Sequence, residues 1–105
     1  MKARKRIRVV TKTVEGGWAI RMIPNTLEAL QAAVHGHIEC VQLTTELTLV
    51  CNEEGLIRGM PFNERIFNFN IYGDFLIAKV WRDEFTTLSM EEASAVIRIL
   101  EKKER

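Results

Sequence analysis

Near the start of the chain two stretches alternate apolar and polar side chains: Ile7 and Val9 against Arg6 and Arg8, then Trp18, Ile20 and Met22 against Ala19 and Arg21. Glu15-Gly16-Gly17 stands between them with the turn chemistry a hairpin needs. This period of two predicts strands over 5–13 and 17–23, so the chain must build a sheet. Ile38 to Leu43 and Leu47 to Cys51, joined through Thr44-Thr45-Glu46, predict a second hairpin, which Asn52-Glu53-Glu54-Gly55 closes as a turn. Residues 56–73 make too long a loop for a compact domain and hold too many apolar groups to be left unpacked. There Phe67, Phe69 and Ile71 alternate with Asn68, Asn70 and Tyr72, which suggests a short edge strand, and Phe75 to Trp81 gives a clearer one.

Two segments change period. Asn25 with Glu28 three residues on has capping-box spacing, and Leu27, Leu30, Gln31 and Val34 follow on one face before Gly36, predicting a helix over 26–35. Ser89 with Glu92 repeats that spacing ahead of Ala93, Val96, Ile97 and Leu100, predicting a closing helix over 90–103. The expected fold is α+β, about five mostly antiparallel strands with two helices packed on one face.

At 105 residues the chain has room for a single domain over 1–105, and 47% apolar with 28% charged residues excludes the disordered regime. Its apolar runs, such as Phe75-Leu76-Ile77-Ala78, are far shorter than the ~20 residues of a membrane-spanning helix. With no signal-like segment after the basic start, the expectation is a cytoplasmic protein with no membrane partner. Charge is uneven: residues 1–23 hold seven basic side chains against Glu15 alone, a net +6, and the rest hold eight against thirteen acidic ones, a net −5. Residues 1–6 therefore suggest a basic arm, suited at most to weak, salt-sensitive nucleic-acid contacts.

Three constellations are candidates for chemistry. Arg8, Arg21, Trp18 and the helix start at Asn25 suit a phosphorylated ligand, since arginine and free amides bind anions and an indole stacks on a base; the competing reading makes Trp18 core, with Ile20 and Met22 on its face. Asn52, Glu53 and Glu54, with Glu39 and Asn63 as neighbours, suit a cation or the amines of a nucleotide, while the competing reading has Asn52 hold the turn, Gly55 supply a positive φ and both glutamates lie in solvent. His35, His37, Cys40 and Cys51 invite a zinc reading that strand geometry opposes, because His37 and Cys40 point to opposite faces. A turn centred on Thr45-Glu46 instead sets Cys40 opposite Cys51 as reduced, buried thiols. No metal and no cofactor are expected.

The segments Ile23-Pro24-Asn25-Thr26-Leu27-Glu28-Ala29-Leu30-Gln31, Gly36-His37-Ile38-Glu39, Val50-Cys51-Asn52-Glu53-Glu54-Gly55 and Pro61-Phe62-Asn63, in this order, resemble a family of small phage and conjugative-element proteins catalogued as a domain of unknown function. His35 stands where that family has the first of two glycines. The resemblance implies a viral or mobile-element accessory protein inside a bacterial cell.

The expected function is therefore non-enzymatic: binding that disables or redirects a bacterial host component, in counter-defence or host takeover. The alternatives are a pocket that sequesters a small phosphorylated ligand such as a defence-signalling nucleotide, nucleic-acid binding through the arm, and, last, hydrolysis by Glu53 and Glu54, for which no acid/base pair stands out. Five of the eight aromatic residues, Phe62, Phe67, Phe69, Tyr72 and Phe75, fall within 14 residues, which suggests a homo-oligomer in contact through 61–81.

Overall fold

The computed structural model describes residues 5–102. Its elements in chain order are β1 (Arg6–Thr13), β2 (Gly17–Pro24), α1 (Leu27–Val34), β3 (Ile38–Gln42), β4 (Leu47–Asn52), β5 (Phe62–Ile66), β6 (Phe69–Tyr72), β7 (Phe75–Trp81), β8 (Glu84–Thr86) and α2 (Met90–Glu101). All the strand pairs are antiparallel, and the class is α+β. The main sheet runs β2-β1-β7-β4-β3 with β8 on β7, and β5 with β6 makes a separate two-stranded sheet.

The helices do not share a face of the sheet as expected. Leu30 and Val34 of α1 pack with Ile7, Val9, Val50, Leu76 and Ala78, whereas Ala93, Val96, Ile97 and Leu100 of α2 pack with Val10, Leu49, Cys51, Phe75 and Ile77. Neighbouring residues of one strand point to opposite sides, so the central strands are buried on both. The small sheet joins the α2 side through Ile66, Phe69 and Ile71.

Local chemistry differs from expectation at several points. Helix α1 is capped by Thr26, whose hydroxyl accepts from Ala29 N at 3.1 Å, while Asn25 stays in the hairpin and its backbone N donates to Lys5 O. The box at Ser89 and Glu92 forms in full. Lys5 and Arg6 belong to the β1–β2 hairpin rather than to a free arm; the rest of that arm lies outside the described residues. The β3–β4 turn centres on Thr45, since Leu43 N and Thr44 N both donate to Leu47 O. That slip of one pairing sets Glu39 opposite Cys51 and Cys40 opposite Val50, so the thiols are not partners and Cys40 is exposed. Gly55 is needed for close approach rather than for a positive φ, because a Cβ there would stand 2.5 Å from Tyr72 O.

Candidate functional site

The phosphate constellation does not converge. Arg21 lies opposite Val9 on the α1 side, whereas Arg8 and Trp18 lie on the other side with Val10. Arg8 is committed to the approach to α2: its N donates to Thr87 Oγ1 at 2.7 Å and its Nη1 to Leu88 O at 3.1 Å. Trp18 packs edge-on to Phe75 at 5.8 Å, with Lys12 Nζ 5.7 Å from its ring centroid, so its indole is part of the core edge. Met22, expected beside it in the core, is exposed. Asn25 Nδ2 donates to Phe85 O.

The acidic turn is organised as a clasp. Buried Asn52 donates from Nδ2 to Val34 O and His35 O, ending α1, and accepts Glu54 N at 2.7 Å on Oδ1. Glu53 N donates to His37 O. Asn63 is not a neighbour in this clasp: its Nδ2 donates to Lys12 O and Gly73 O, and its Oδ1 accepts from Lys12 Nζ. Glu39 and Glu53 share a small cleft with Leu56 and Phe69. Among the described residues no three His, Cys, Asp or Glu side chains gather as a metal site.

What spacing did not reveal is a cleft of about 600 Å³ between the β1–β2 turn, the end of α1 and the β6–β7 turn. His35 caps α1 in the left-handed region, φ 65, a conformation that glycine takes without strain. Its Nε2 lies 3.0 Å from Asp74 Oδ2, while Asp74 Oδ1 accepts Val14 N at 2.8 Å. The carboxylate thus ties the β1–β2 turn to the imidazole, and His35 lines the cleft with its side chain 60% exposed. Such a pair can orient a polar group of a ligand by hydrogen bonding. Strain held beside a cleft is the kind of feature that function retains.

Met60 and Pro61 form another wall of this cleft, and they belong to a stretch that exposes several large apolar side chains. Leu56, Ile57, Phe62 and Phe67 are 66, 85, 56 and 67% exposed, all within twelve residues. Phe62 stands edge-on to Tyr72 at 5.8 Å, and the loop before it is drawn against β6 by Gly73 N donating to Pro61 O. Lys12 fixes the small sheet underneath: its Nζ lies 2.9 Å from Glu64 Oε1 and donates to Asn63 O.

The family model described as a domain of unknown function, DUF3846, matches residues 7–101. The chain belongs to the DUF3846 family. The match takes in almost the whole described fold, from the second residue of β1 to the last of α2, so the DUF3846 unit contains both the cleft and the apolar stretch. No curated protein and no solved structure matches the chain. Within the described residues no helix is long and apolar enough to cross a membrane.

Proposed function

We propose that this DUF3846 chain is a non-enzymatic binding protein of phage or mobile-element origin that docks on a protein of the bacterial host cytoplasm and disables or redirects it. The observation that carries the reading is the stretch 56–67, which holds Leu56, Ile57, Phe62 and Phe67 in solvent while its Met60 and Pro61 wall the His35–Asp74 cleft. Large apolar side chains around a recess with a few polar groups are how a protein interface concentrates its affinity: the knobs exclude water, and a partner side chain fills the recess. The resemblance carried by Ile23–Gln31, Gly36–Glu39 and Val50–Gly55 supports the mobile-element setting. The phosphorylated-ligand reading has no comparable support, since Arg8 and Arg21 stand on opposite sides of the hairpin.

The test is affinity purification from a bacterial host expressing either the natural chain or the double variant Ile57→Asp with Phe67→Asp. Both side chains are largely in solvent, and Asp tolerates the positive φ of position 67, so the variant keeps the fold. A host protein recovered in stoichiometric amount with the natural chain and lost with the variant supports docking through this face. Equal recovery with both chains, or recovery with neither, overturns it.

A further inference from the structure

We propose that two copies of this chain pair edge to edge through β2, antiparallel and centred on Ile20, to make one continuous sheet. This surface is separate from the 56–67 stretch and does not depend on the docking reading.

The free edge is defined by the hydrogen bonds on its inner side. Among the described residues strand β2 ends the main sheet and pairs only with β1. Asn25 N donates to Lys5 O, and that pair continues the β1–β2 register, so the hydrogen-bonded pairs are the odd-numbered ones. Arg8 agrees, because its own N and O face away from β2, to Thr87 Oγ1 and Leu88 N. Trp18, Ile20 and Met22 therefore turn their backbone N–H and C=O groups outward. Of these groups Met22 O accepts from Arg6 Nη2 at 3.2 Å, which sets a guanidinium at the strand edge. A row of outward amides and carbonyls on an eight-residue strand, with Arg21 its one charged residue and no lysine, is a template for another strand.

The sequence of β2 then selects a second copy as the occupant. A two-fold axis at Ile20 sets Trp18 across from the partner's Met22, an indole against a thioether, and sets Ile20 against its own copy. Arg21 falls opposite the partner's Ala19, so no like charges meet. An axis at Arg21 would bring the two guanidinium groups together, and one at Ala19 would shorten the overlap. With the axis at Ile20, Pro24 lies level with the partner's Gly16, which brings the basic end of one hairpin, Lys5 and Arg6, alongside the partner's Glu15, the one acid among residues 1–23. Arg6 is then placed to exchange Met22 O for that carboxylate while the partner's Trp18 N–H takes over the carbonyl. The other edge, β3, is five residues long and carries Glu39.

Sedimentation of the full chain with the variant Met22→Pro tests this. Among the described residues Met22 N–H has no acceptor, and its side chain is exposed, so proline removes an outward donor while the β1–β2 bonds survive. The natural chain should sediment as a dimer at about 100 μM, and the variant should dimerise at least about tenfold more weakly with an unchanged circular dichroism spectrum. Hydrogen exchange on the natural chain gives a reading independent of any substitution: the Trp18, Ile20 and Met22 amides should slow as concentration rises, while Ala19 and Arg21 are slow throughout. A natural chain that stays monomeric, alternate amides that do not respond to concentration, or a dimer that Met22→Pro leaves intact each overturns the proposal.

Discussion

Lys12 and Glu64 form an ion pair of 2.9 Å that is only 18 and 10% exposed, and it joins the main sheet to the small one. A charge held this far from water depends on its partner, so Glu64→Gln should strand the ammonium. Asn63 O and Oδ1 still receive Lys12 Nζ, which limits the damage to about 2–3 kcal/mol rather than the upper end for buried pairs. Adding Lys12→Met to Glu64→Gln should recover part of the loss. Urea titrations of the two variants check both, and a Glu64→Gln cost below about 0.5 kcal/mol would mean that water screens the pair.

Thr11 is a simpler case. Its hydroxyl is buried without a hydrogen-bond partner among the described residues, on the side that faces α1. Thr11→Val keeps the shape and removes the orphaned group, so it should raise stability by about 1 kcal/mol in the same titration.

The strained cap at His35 separates structure from function. His35→Gly relieves a left-handed conformation that costs a side-chain residue roughly 1–2 kcal/mol, and gives up an exposed contact with Asp74. After the chain entropy that glycine adds, the expected gain is about 0.5 kcal/mol, together with weaker binding of any partner seated in the cleft. A thermal unfolding scan that shows a loss above about 1 kcal/mol would make the imidazole–carboxylate contact a stability element instead.

How much of this was legible follows from where the side chains point. The first hairpin and α2 could be placed because their signals are local: a glycine turn between alternating strands, and a capping box that forms as read. The side taken by each helix was not, since β4 and β7 are apolar at neighbouring positions, Leu49-Val50 and Leu76-Ile77, and such strands mark neither face as outer. Strand β5 was hidden by an inverted pattern, with Phe62 exposed and Glu64 buried across a register irregularity. The His35–Asp74 contact joins residues 39 positions apart, and its one local trace was a histidine where a helix end favours glycine.

The cysteines make a labelling prediction. Burial, with Glu39 and Cys40 nearby, pushes the Cys51 thiol up to about 12, and burial with Glu39 raises Cys40 as well. Both are thiols at neutral pH, and the two differ in access: Cys40 is exposed and Cys51 is buried under the α2 side. Maleimide at pH 8 should add once to the native protein, at Cys40 and slowly, and twice after denaturation. Two additions to the native chain would show that the layer over the α2 side of the sheet opens and uncovers Cys51.

The last prediction concerns pH and the start of α2. Lys79 Nζ lies 2.7 Å from Glu92 Oε2, while Glu92 Oε1 accepts Ser89 N at 2.8 Å. The hydrogen bond from Lys79, then that from Ser89 N, holds the Glu92 carboxyl below the usual carboxylate range, and the same contact with Glu92 raises Lys79. For Glu92, with its folded value depressed, the stabilisation is fully present above the ordinary glutamate range and is lost as pH falls through the depressed folded value. For Lys79, with its folded value raised, it is fully present below the ordinary lysine range and is lost as pH rises through the raised folded value. The pair therefore favours folding across the whole interval between those ranges. Glu92 is 42% exposed, so solvent screening keeps the contribution modest. Glu92→Gln preserves a side-chain oxygen for Ser89 N but removes the titrating charge. The difference in stability between the natural chain and this variant should be flat from pH 6 to 9 and shrink below about pH 4, where the carboxyl takes up its proton. A difference that persists undiminished at pH 2 would assign the effect to packing of the Glu92 side chain against β7 rather than to its charge.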